Sequence, residues 1–292
     1  MPVYDYSYRT WQGTRSGPLL RWLAIPKYTY MGLFGKRVFI WLFGMAWLQF
    51  ALRVAYIYLL VNREFLATLR IPADVLPGIG AFFFKNMIDV QLIFCFVLAF
   101  VVGSDLISRD LVHRAFVLYA SKPISRWEYF LGKFLALFGL MMLLTWFQTV
   151  VLYGLQIAMA PAGSPWRQRF WHDYYWIFLS ITAYSAAVSA GLSLMILAAS
   201  SLVKNGRYAG IILVVYIFGA STVGAIVADI LRTKAALALS PFAAGMELGM
   251  RLFGLNGTGI GLGPACAGAA GVCGVSALIL WGRLRSAARY GT

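Results

Sequence analysis

Six long apolar runs decide what this chain can fold into. They lie at about 38–61, 84–102, 129–158, 174–202, 208–230 and 262–281. Each is long enough to cross a hydrocarbon layer of about 30 Å as a helix. Backbone inside lipid must satisfy its own hydrogen bonds, which leaves helices or a closed barrel. These runs are continuous and lack the two-residue alternation of barrel strands. The expected fold is therefore an all-α polytopic membrane protein with six transmembrane helices. Composition agrees: 61% of the 292 residues are hydrophobic and 12% charged, about half the charged share of a soluble domain. A basic leader, 1–37, precedes one transmembrane domain, 38–292.

The net charge of +15 would suggest nucleic acid in a soluble protein. Here the basic residues cluster by side. The leader, 109–133, 204–207 and the tail hold twice as many as the outer connections. That asymmetry places both termini in the cytoplasm, with membrane lipids and no nucleic acid as surroundings. In the leader, Leu19, Leu20, Trp22, Leu23 and Ile25 mix with Arg21 and Lys27, predicting a helix in the membrane interface that Pro26 kinks or breaks. The first apolar run follows this long leader and is expected to stay as an uncleaved anchor.

Charges within the spans are few. Arg53 and Asp89 fall at similar depth on neighbouring antiparallel helices, so an ion pair between them is expected. The alternative is that Asp89 pairs with Lys85 one turn before it. Cys95, Cys266 and Cys273 read as buried small side chains. Gly263, Ala267 and Gly271 keep small-xxx-small register for close helix contact. Between spans five and six, 235–239, 240–242 and 246–253 read as short re-entrant-like helices at the outer face.

The charge-rich stretch is 103–133, between spans two and three. A helix is expected at about 104–120, with Ile107, Leu111, Ala115 and Leu118 as an apolar stripe. Arg109, Asp110, His113 and Arg114 occupy its other side. Ser121-Lys122-Pro123 ends it, because proline disfavours helix at the residue before it. Ser125-Arg126-Trp127-Glu128 then reads as a capping box, with Ile124 and Tyr129 as its staple. The third span should start sharply at Ser125.

Catalytic patterns are missing. The glycines and lysine of 32–36 have the wrong spacing for a phosphate-binding loop. His113 and His172 fall on opposite sides, and no His-Glu-x-x-His or Gly-x-Ser-x-Gly occurs. Asn256-Gly257-Thr258 matches a glycosylation sequon by a short pattern only. The expectation is a chain with no catalytic residues, no bound cofactor and no metal.

Gly103–Lys133 resembles the signature region of ABC-2 type transporter permeases. It carries Ile107-Ser108-Arg109-Asp110, then Tyr119-Ala120-Ser121-Lys122-Pro123-Ile124-Ser125-Arg126, then Gly132-Lys133. Asp110 replaces a common glutamate, and Arg114-Ala115 stands where Gly-Thr is frequent. The resemblance implies a permease subunit in the bacterial inner membrane, exporting a substrate. Two copies of a cytoplasmic ABC ATPase subunit, carrying ATP and Mg2+, would dock beneath it and a second or related permease. The helix at 104–120 would be the coupling element, through Ile107, Arg109, Asp110, His113, Arg114, Tyr119, Pro123, Ser125 and Arg126. Two alternatives stay open: a permease-like scaffold acting on an external protein, and a membrane-embedded enzyme. The enzyme would need polar groups converging within the spans, and the sequence shows few.

Overall fold

The six apolar runs form six helices that are long and apolar enough to cross a membrane, as in a multi-pass membrane protein. The computed structural model describes residues 23–62, 70, 76–112, 125–161 and 163–289, and no strand occurs among them. Helix α1 is Ala24–Phe34, α2 is Arg37–Val61 and α3 is Ala81–Leu98. Helix α4, Asp105–Val112, precedes the third span, which is α5, Arg126–Met142, and α6, Gln148–Met159. The short α7 is Pro165–Gln168, and α8, Tyr175–Leu202, and α9, Gly206–Leu231, are spans four and five. A 3-10 helix, Lys234–Leu239, and α10, Pro241–Leu252, lead to the last span, α11, Leu262–Arg289.

One sequence expectation is corrected at a helix end among the described residues. Pro26 does not break the leader helix. It lies in the first turn of α1, where a missing N–H costs nothing because those amides have no intrahelical partner. The second span and the charged helix are continuous. A π-helical turn, Ala99–Gly103, joins α3 to α4, and Ser104 N–H reaches back five residues to Ala99 O at 3.1 Å. Ser104 is itself helical, so the backbone spirals without interruption from Ala81 to Val112. A second π turn, Leu143–Phe147, joins α5 to α6.

The interior has two apolar clusters. One, nearer α4, gathers Leu98, Val102, Ile107, Leu137, Met141 and Ile196. The other, at the opposite end, is aromatic: Phe83, Phe84, Tyr153, Trp166, Tyr184 and Phe253. Between them the spans bring polar groups together. Gln91 Nε2 donates to Ala46 O and Gln49 Oε1, each at 2.9 Å, and to Gln148 Oε1. The hydroxyls of Thr145 and Ser189 meet at 3.3 Å. The convergence that the sequence seemed to lack is present, but it consists of amides and hydroxyls.

The segment between spans five and six folds as expected in outline. Ser240 caps α10 by accepting from Ala243 N–H at 3.3 Å, and its hydroxyl meets Ser221 Oγ on α9 at 2.7 Å. One helix covers 241–252, where two short pieces were expected. The loop after it is pinned by the fully buried Glu247 carboxylate. Glu247 accepts from Thr258 Oγ1 at 2.7 Å, Arg251 Nε at 2.9 Å, Gly261 N–H at 3.3 Å and the Thr258 N–H. Burial alone raises this carboxyl, but the Thr258, Arg251 and Gly261 hydrogen bonds outweigh it and hold the group down to about 2.

Close packing of α11 is not where the small-residue register placed it. Gly263, Ala267 and Gly271 are exposed on the outer side of the helix. Gly268 makes the close approach instead: a Cβ there would come within 2.1 Å of the Ala238 carbonyl oxygen.

Candidate coupling site

Helix α4 continues the second span, and three other spans hold it. The first tie comes from α8. Ser200, wholly buried, accepts through Oγ from the backbone N–H groups of Ile107 and Ser108, each at 3.1 Å. It donates to Ser104 O at 2.7 Å, and Ser108 Oγ donates to the same carbonyl at 3.0 Å. A turn that leaves regular α geometry loosens its own hydrogen bonding. Just past that turn, one hydroxyl from a neighbouring helix serves a carbonyl and two amides at the start of α4.

The second tie comes from α5. Asp110 accepts from the Tyr129 hydroxyl at 2.8 Å and pairs with Lys133 Nζ at 2.9 Å. Lys133 also lies over the Tyr129 ring, 5.7 Å from its centre. Lys133 is nearly buried, so this pair is poorly screened and holds α4 against the third span. The third tie is steric. A Cβ at Gly206, the first residue of α9, would fall 1.9 Å from Asp105 Oδ1 and 3.1 Å from Ser104 O. Only a glycine lets α9 start so close to α4.

The far side of α4 stays open. Arg109 pairs with Asp105 one turn back, yet its side chain is 62% exposed. Val112 is 51% exposed. The site therefore has a buried, fastened face and an exposed face of one cation and one apolar side chain.

The third span begins as its sequence predicts. Ser125 Oγ accepts from Glu128 N–H at 3.2 Å, and Glu128 Oε2 accepts from Ser125 N–H at 2.6 Å. This reciprocal capping box starts α5 at Arg126. Helix α1 docks on the same span: the Tyr30 hydroxyl donates to Ala136 O at 2.8 Å, and a Cβ at Gly139 would meet that hydroxyl at 2.8 Å. Trp127 and Trp281 stack at 4.7 Å, so α11 passes beside the start of α5.

Of the sequence-predicted site residues, the structure gathers Ile107, Arg109, Asp110, Ser125 and Arg126 at this end of the bundle. Ile107 is buried as expected of the apolar stripe. Asp110, expected on the open side with Arg109, turns inward to Tyr129 and Lys133. His113, Arg114, Tyr119 and Pro123 lie outside the described residues, as do Ala115 and Leu118. Ser200 and Gly206 were missed, and no spacing rule marks a lone serine or glycine as a tie to a helix so distant in sequence. Lys133 had a signal, as a cation in an apolar run at the same end as Asp110.

At the opposite end Arg53 and Asp89 are not joined to each other. Asp89 takes Lys85, one turn before it, and accepts from the Tyr184 hydroxyl at 2.8 Å. Arg53 instead donates to Asn86 Oδ1 and lies over the Phe83 ring, 5.0 Å from its centre. With Lys85 nearly buried and within reach of Asp89, the local i,i+4 partner prevails over the interhelical one.

Comparison with protein-family models, with curated proteins and with solved structures finds no match to this chain.

Proposed function

We propose that this chain is the permease subunit of an ABC transporter. In this reading α4 docks on a separate cytoplasmic ATPase subunit, and ATP-driven closure of two such subunits tilts the spans of a permease pair to export a substrate. The protein then sits in the bacterial inner membrane with both termini in the cytoplasm. The resemblance of 103–133 to the ABC-2 signature region supports the docking role. The observation that carries it is mechanical: α4 is continuous with one span and tied to three others, with Arg109 and Val112 exposed. A push on a helix so fastened reaches the second, third and fourth spans together. A solvated connection needs no such ties. Coupling requires contacts that differ between two states of the partner, and an exposed cation beside an apolar side chain can supply them.

The test is co-purification with candidate ATPase subunits in nanodiscs, followed by hydrolysis assays. A stable complex whose hydrolysis responds to Arg109→Glu is expected. Failure of every ATPase candidate to associate would remove the reading.

A further inference from the structure

Among the described residues, the charges at the far end of the spans do not balance. Within about one turn lie two cations, Arg53 and Lys85, and one carboxylate, Asp89. Lys85 is nearly buried and paired with Asp89, whose other oxygen accepts from Tyr184. Each oxygen of that carboxylate already has a partner. Arg53, half-buried, has a neutral partner in Asn86 and an aromatic face in Phe83. Among the described residues no anion faces it. A guanidinium carries five donors in a planar fork, and Asn86 takes one direction only.

We propose that Arg53 binds the phosphate group of a membrane phospholipid. Charge in an apolar span is costly until it is paired, and an aqueous anion does not enter lipid. The surroundings set the depth. Arg53 lies eight residues before Val61, the end of α2, or about 12 Å along the helix. The ring beneath its guanidinium, Phe83, stacks on Tyr56 at 5.7 Å, and the Tyr56 hydroxyl donates to Pro77 O at 2.6 Å. An aromatic pair with one polar tip anchored in the connecting loop marks the headgroup boundary. Long basic side chains carry their charge towards that boundary. The anion present there is phosphate, and the arginine fork matches two of its oxygens. Phe83 and Asn86 orient the guanidinium so that its remaining donors are aimed before a lipid arrives.

The experiment uses the full chain, purified in uncharged detergent and titrated with phosphatidylglycerol, phosphatidylcholine, an uncharged galactolipid or inorganic phosphate. Lipid retention is read by native mass spectrometry and thermal stability by unfolding. The wild type should retain and be stabilised by both phospholipids above the galactolipid. Arg53→Gln should lower phospholipid retention by roughly tenfold, the loss expected for one charge-assisted contact. Arg53→Lys, which keeps the charge without the fork, should fall between. Arg167→Gln, exposed on the short helix α7, should retain lipid as the wild type does. Equal stabilisation of the wild type by galactolipid and phospholipids would overturn the proposal, whether or not Arg53→Gln folds. Unchanged retention in Arg53→Gln would overturn it as well. Stabilisation by inorganic phosphate matching that by phospholipid would assign the site to a free anion and overturn the lipid assignment.

Discussion

The Ser200 hydroxyl accepts a hydrogen bond from the Ser108 N–H at 3.1 Å across 92 residues of sequence. With its bonds to Ile107 and Ser104, this fastens the end of the fourth span to the first turn of α4, just past the π turn that joins α4 to the second span. Ser200→Ala leaves that first turn without its outside partner in a buried setting. The expected cost is about 1–3 kcal/mol of stability, read by unfolding in detergent. Under the proposed function, hydrolysis by a candidate ATPase subunit should lose its dependence on this chain while their complex persists.

Asp110 and Lys133 should behave as a nearly buried pair. Lys133→Met alone strands a carboxylate and should cost about 3 kcal/mol. The double variant Asp110→Leu/Lys133→Met should recover most of that stability, because a packed apolar pair replaces two desolvated charges. A double variant as unstable as the single would show that the charges, not their pairing, hold the joint.

Glu247 gives a pH dependence with a definite sign. Its folded value, about 2, lies below the ordinary 4.5. A depressed carboxylate contributes stability in full above the ordinary value and loses it as pH falls towards the folded value. The wild type should therefore lose stability between about pH 4.5 and pH 2, by about 3 kcal/mol from this group. Glu247→Gln should be flatter across that window, and the difference between the two curves isolates the carboxylate. Parallel curves would contradict the assignment.

Gly268→Ala should be among the most damaging single methyl additions. Its Cβ would meet a backbone oxygen, that of Ala238, at 2.1 Å, and backbone yields only if α11 shifts. Gly271→Ala, with open space around it, should be neutral within about 0.5 kcal/mol. Relative yield and melting of the two variants decide the point.

Much of the architecture was legible in the sequence because lipid imposes a strict rule: long apolar runs become helices. The capping box at Ser125 was legible for a local reason, since both partners lie within four residues. What the sequence hid was long-range or a matter of helical phase. Small-xxx-small spacing located a face of α11 but not which face meets a neighbour. The pairing of Asp89 depended on reach, and Lys85, one turn away, was nearer than Arg53. Ser200 needed the fold itself. It ends a span rich in small residues, and nothing local distinguishes it from Ser185 or Ser189. The polar layer around Gln91 was dispersed over three spans, with Gln49, Gln91 and Gln148 each set in an apolar background.

The proposed coupling role of α4 is tested most directly by reconstituting this chain with a candidate ATPase and measuring hydrolysis for Arg109→Glu beside Arg283→Glu. Both residues are exposed cations near the same end, but only Arg109 lies on α4. Reversal at Arg109 should abolish permease-dependent hydrolysis or the complex itself, and reversal at Arg283 should leave both intact. Equal, unimpaired hydrolysis in the two variants would contradict the assignment of α4 as the coupling element.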